Sequence, residues 1–160
     1  MLYRKSALLI AIVIFMGSIV FADSVKGTLT VGKKVFELKK IYVEYVEDPN
    51  YEGEQFVMLR LSDAEIRDNK KSVLRKQAEE GELNLVELII GDDKKITTVL
   101  ILSNAFEEGS YYSGEIEKEP QNITIESGIM KGTIAKKGEV SPGQSWEVKA
   151  EIEVVLPEKE

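Results

Sequence analysis

The sequence predicts a mainly β protein, a single-domain β-sandwich or flattened barrel with one α-helix at about residues 63–80. Three patterns carry that prediction. Near the end of the chain, Trp146, Val148, Ala150, Ile152 and Val154 alternate with Glu147, Lys149, Glu151 and Glu153. Successive strand side chains point to opposite faces, so this reads as a strand with one dry and one wet face. In mid-chain, Leu83–Ile90 and Lys95–Leu102 flank Gly91-Asp92-Asp93-Lys94, a strong hairpin signal. Between these, short runs rich in Val, Ile, Thr and Tyr are punctuated by Gly, Pro and Asn, the spacing of stacked sheets or a barrel.

The elements follow in order. Val25–Val31 reads as a strand ending in a tight turn at Gly32-Lys33. Val35–Val46 reads as the next, but its alternation slips. Phe36 and Leu38 share one face, Ile41, Val43 and Tyr45 the other parity, and the slip at Lys39-Lys40 predicts a β-bulge. Glu47–Glu54 is a loop by its Pro, Asn and Gly content, and Gln55–Leu61 is a strand. Ser62-Asp63-Ala64-Glu65 has the form of a capping box, in which Ser and Glu satisfy each other's backbone N–H. It predicts a helix from Asp63 to about Glu80, stopped by Gly81. The helix has a thin apolar face of Ile66, Val73, Leu74 and Ala78, suited to lying on a sheet or covering an open end. Both faces of the following hairpin are apolar, so it belongs at the buried centre. Tyr111–Ile116, Asn122–Glu126 and Ile129–Ala135 are short strand candidates.

The N-terminus predicts the destination. Arg4 and Lys5 precede an apolar run from Ala7 to Val20 that closes on Val20-Phe21-Ala22 before Asp23-Ser24. Basic, apolar and small-residue regions in that order make a secretory signal, residues 1–22, cleaved to leave a β-rich domain at residues 23–160. The expected location is periplasmic or extracellular. Retention as an anchor is the competing reading, and is the only membrane association expected. However, Ala7–Ala22 is shorter than the roughly 20 residues that cross a bilayer.

Composition narrows the chemistry. The chain has no Cys and no His and a net charge of −7. An exported domain without Cys stands on core burial alone. Without His or Cys, Ser-His-Asp and Cys-His catalysis and ordinary zinc sites are unavailable. The acidic balance disfavours nucleic acid, whose phosphates need a basic footprint. No cofactor is expected, and no phosphate-cradling glycine loop is present. Carboxylates are the abundant reactive groups. A pair across a groove would serve a hydrolase acting on an extracellular or envelope polymer, but no spacing singles one out. No metal site is expected: Glu47-Asp48-Pro49-Asn50 and Asp92-Asp93 lack the ligand spacing of a calcium loop. Arg67, Lys70, Lys71, Arg75 and Lys76 read either as a solvated helix face or as an anion-binding patch. Tyr42, Tyr45, Tyr51, Phe106, Tyr111 and Tyr112 fall near strand ends and loops. Gathered at one rim they would grip a ligand; otherwise they are packing.

Gly27-Thr28-Leu29-Thr30-Val31-Gly32-Lys33, Leu38-Lys39-Lys40-Ile41-Tyr42-Val43, Val57-Met58-Leu59-Arg60-Leu61-Ser62-Asp63 and Trp146-Glu147-Val148-Lys149-Ala150 together resemble a family of small exported bacterial proteins. Its members look like a signal peptide followed by one β-rich domain with a central helix. The resemblance implies bacterial origin, export and a non-enzymatic role. The family pattern often has a histidine where Lys40 stands and another near Ser103 or Asn104; this chain has neither, so no metal role transfers. The expected function is therefore an exported, non-catalytic binding domain. Its partner is a protein, an envelope polymer or a small apolar ligand. The alternatives are a carboxylate-based hydrolase and an envelope assembly subunit that pairs through an exposed strand edge.

Overall fold

A computed structural model describes residues 23–47, 54–107, 109–113 and 119–158, with Tyr112 and Ser113 as backbone only. The expected signal segment at residues 1–22, Tyr51 and most of the 47–54 loop lie outside the described residues. The fold is a β-sandwich of two five-stranded antiparallel sheets. In chain order the strands are β1 (Ser24–Val31), β2 (Lys34–Leu38), β3 (Lys40–Glu47), β4 (Gln55–Ser62), β5 (Leu85–Ile90), β6 (Ile96–Leu102), β7 (Ser110–Ser113), β8 (Asn122–Glu126), β9 (Ile129–Glu139) and β10 (Ser145–Val155). One sheet has the order β2-β1-β10-β9-β8, the other β3-β4-β5-β6-β7. A helix, α1 (Lys71–Glu79), sits between β4 and β5 in the chain.

The alternating face of β10 forms the floor of the core. Trp146, Val148, Ala150, Ile152 and Val154 are all buried, and face Val57, Leu59, Leu61, Val86 and Leu88 of the opposite sheet. Trp146 lies over Gly138, where a Cβ would come within 2.8 Å of the indole ring. The β5–β6 hairpin is central in its sheet and buried on both sides, as its doubly apolar pattern predicts. Its outer face, with Leu85, Leu100 and Leu102, packs against Leu74 and Ala78 of α1 in a second cluster. The helix thus lies on a sheet surface and adds a small core of its own.

Two expectations need correction. The parity slip at Lys39-Lys40 is not a bulge: the chain changes sheets there, with Lys39 alone between β2 and β3. A strand that crosses to the facing sheet must reverse which parity points inward, so a one-residue slip is what the crossing requires. Lys39 stays hydrogen-bonded through the corner, donating from N to the Ser62 carbonyl at 2.8 Å. The register irregularity in this sheet lies instead between Ile89 and Ile90.

The helix is also shorter than predicted, Lys71–Glu79 rather than 63–80, and the capping box does not form. Ser62 Oγ donates to the Ala64 carbonyl at 2.7 Å, and Glu65 turns to Lys40. Asp63 accepts from the backbone N (2.7 Å) and the side-chain Nδ2 (2.8 Å) of Asn84. Asn84 Oδ1 in turn accepts from Ser103 Oγ at 2.6 Å. Long-range partners inside a buried network outweigh a local cap.

Candidate binding groove

The outer face of the second sheet carries an unusual row of charge. Arg60 on β4 and Glu87 on β5 are opposite one another in register. They are only 5% and 2% exposed. Their Nε–Oε2 distance is 2.8 Å. The row continues on both sides: Glu44 Oε1 of β3 is 3.5 Å from an Arg60 terminal nitrogen, and Lys71 Nζ of α1 is 4.0 Å from Glu87 Oε1. Charges of alternating sign therefore cross β3, β4, β5 and the start of the helix. A buried ion pair stands only if its remaining valences are matched, and the outer two members do that here.

Arg60 forms part of the wall of an open groove of about 370 Å³. Asp23, Tyr42, Glu44, Met58 and Leu156 also line it. It lies where β3, the edge of one sheet, meets the start of β1 and the end of β10 from the other. Asp23 Oδ1 accepts from Val155 N at 3.0 Å, which fixes these two ends together. Ile41, Tyr42, Val43 and Glu44 all line the groove. Consecutive strand residues belong to opposite faces, so the groove follows the strand's main-chain edge rather than either face. Among the described residues β3 pairs with β4 alone.

The head of β3 is held by charge. Lys40 Nζ meets Glu65 Oε2 at 2.8 Å. The hydrogen bond to Glu65 and its charge raise the Lys40 pKa, and the same hydrogen bond and charge lower that of Glu65. The Tyr42 hydroxyl donates to Glu65 Oε1 and accepts from Ile66 N, both at 3.3 Å. This binds the 63–66 segment beside β3.

Of the aromatic residues singled out by sequence, Tyr51 lies outside the described residues and the others do not share one rim. Tyr42 lines the groove. Tyr45, on the same strand, packs against the main core. Phe106 and Tyr111 lie near the opposite edge of that sheet. Phe106 is buried, and Tyr111 packs between it and Trp146 at ring separations of 6.5 and 5.3 Å. Tyr112 is placed by its backbone, opposite Leu100. The basic residues around α1 mostly have acidic neighbours, as in Arg67–Glu82 at 2.7 Å and Lys76–Glu80 at 3.9 Å. Among the described residues no group of three carboxylates is placed to hold a metal, and no helix is long and apolar enough to cross a membrane.

Sequence reasoning missed Arg60 and Asp23 as groove components, and Glu87 as the buried partner of Arg60. The available signal was a charge inside each of two apolar runs, Phe56–Leu61 and Leu83–Ile90. Two-sided burial makes such a charge expensive unless it is paired. The fold thus defines a two-sheet antiparallel sandwich with an edge groove. Compared with family models, curated proteins and solved structures, the chain matches none.

Proposed function

We propose that this chain is an exported, non-catalytic binding domain that takes an extended peptide along the free edge of β3. The observation that carries the reading is the groove's lining by four consecutive residues, Ile41 to Glu44. A free strand edge offers main-chain donors and acceptors to an incoming strand, while neighbouring pockets select alternate side chains. Ile41, Val43, Met58 and Leu156 favour apolar side chains at those positions. Asp23, Glu44 and Arg60 supply charges of both signs at the mouth. The basic, apolar and small-residue order of residues 1–22 supports export, and the family resemblance points the same way. A hydrolase draws less support, because Glu44 and Glu87 both face Arg60 rather than each other across an open space.

Selection of random extended decapeptides on the purified protein tests the reading. The expected peptides slow amide exchange at Ile41–Glu44 and lose binding at least about tenfold with Val43→Lys. Peptides that protect another strand, or none at all, would overturn it. N-terminal sequencing of protein from its own source tests export, with Asp23 as the expected first residue.

A further inference from the structure

We infer that β8 is a self-pairing edge, through which two copies of this chain join their five-stranded sheets into one of ten strands. The inference is independent of the β3 groove, which lies on the other sheet and stays open in such a dimer.

Among the described residues the sheet edges are β2, β8, β3 and β7, and they differ in how they are protected. Natural sheets guard exposed edges with charge, Pro, bulges or short length. The β2 edge carries Lys34 and Glu37 between Lys33 and Lys39, and β3 carries Lys40, Glu44 and Glu47, whose like charges disfavour pairing with a second copy of β3 while leaving its main chain to a peptide. β7 is four residues long. β8 reads Asn-Ile-Thr-Ile-Glu, with one charge at its end. Ile125 lies opposite the fully buried Met130 yet is 46% exposed, because on this strand the core reaches only Ile123.

The register is self-complementary. Ser127 and Gly128, at φ of 51° and 75°, make the two-residue turn into β9, closed by Glu126 opposite Ile129. In such a hairpin the closing pair is hydrogen-bonded, so Asn122, Thr124 and Glu126 direct their main-chain groups to β9. Those of Ile123 and Ile125 point outward. Consistent with this, Ile123 N is turned from β9 to the Gln121 carbonyl at 2.9 Å, a local bond that pairing with a second copy exchanges. A two-fold axis at Thr124 then sets Ile123 opposite Ile125 of the second copy, twice, as hydrogen-bonded pairs. It sets Asn122 opposite Glu126, so no like charges meet, and Thr124 opposite itself as a non-hydrogen-bonded pair. Pro120 and the Ser127-Gly128 turn limit the pairing to these five residues. The interface is isologous and therefore closes at two copies.

An interface this small is weak and transient. Sedimentation of protein purified from its own source should show the average mass rising toward twice the monomer between about 10 μM and 1 mM. Both copies are acidic and no ion pair crosses the axis, so added salt should strengthen the association. Ile125→Lys, at an exposed position the monomer tolerates, should abolish it. The chain has no cysteine, so single-cysteine variants report the register directly. Non-hydrogen-bonded partners about 4.5 Å apart at Cα suit a disulfide. Under mild oxidation Thr124→Cys should cross-link into dimers at least about tenfold faster than Asn122→Cys. A mass that stays monomeric, a dimer that survives Ile125→Lys, or equal cross-linking of the two variants would each overturn the inference.

Discussion

Arg60 and Glu87 are the buried charged pair of this sheet, and single substitutions there are costly. Removing either alone leaves its buried partner only a longer contact to a solvent-facing charge, Glu44 at 3.5 Å for Arg60 or Lys71 at 4.0 Å for Glu87, a loss of about 3–5 kcal/mol. Glu87→Ala should therefore shift the urea midpoint far downward. Arg60→Met combined with Glu87→Leu fills the same space without charge and should fall close to the parent protein, since buried ion pairs replaced by apolar residues are often neutral or better. Equal destabilisation by the single and double variants would contradict this. Asp93 gives a milder, pH-dependent effect. The backbone N–H of Lys95 is the main influence holding its carboxyl below the ordinary aspartate value of 3.8. A group whose pKa is lower in the folded state contributes stability above its unfolded value. That contribution is lost as pH falls through the folded one. Thermal melts should accordingly show a shallower acid limb, below about pH 4, for Asp93→Asn than for the parent.

At the scale of elements, α1 begins poorly. Lys70 occupies the N-cap with extended backbone and no side-chain cap bond, and the first turn holds no acidic residue. The Lys70 carbonyl accepts from Val73 N at 2.9 Å and Leu74 N at 3.0 Å, and serine suits that backbone and adds the side-chain acceptor that lysine lacks. Lys70→Ser should therefore raise stability by about 0.5–1 kcal/mol in chemical unfolding. No gain would mean that Lys70 contributes a contact the cap does not replace. This helix also shows where sequence reading stops. Leu74, Ala78 and the stop at Gly81 were legible because they depend on spacing and on one backbone conformation. The start was not, because Asp63 and Glu65 are engaged by Asn84 and Lys40, far along the chain. The β5–β6 hairpin and β10 were legible for the opposite reason, since their burial patterns are local. The slip at Lys39 was visible, but its meaning depended on which sheet each half joins.

At the scale of the whole molecule, β1 pairs with β10 along its full length, so the first and last described strands are neighbours. Sheets closed by such distant pairing fold on the millisecond-to-second scale. The single tryptophan, Trp146, sits on β10. Its fluorescence should change together with burial of the main core in stopped-flow refolding, while a change within microseconds would contradict late closure. The same long-range closure hid the groove from sequence. Asp23, β3 and Leu156 come from three remote stretches, and none carries a motif. Among the described aromatic candidates only Tyr42 lies there, because which aromatics meet depends on strand order. The clasp between Asp23 and Val155 has a mechanical consequence. Tension applied to the two ends loads the β1–β10 hydrogen bonds in sequence, as in peeling, instead of all together, as in shear. The sandwich should part at that seam under modest force while the β5–β6 layer beneath α1 stays intact.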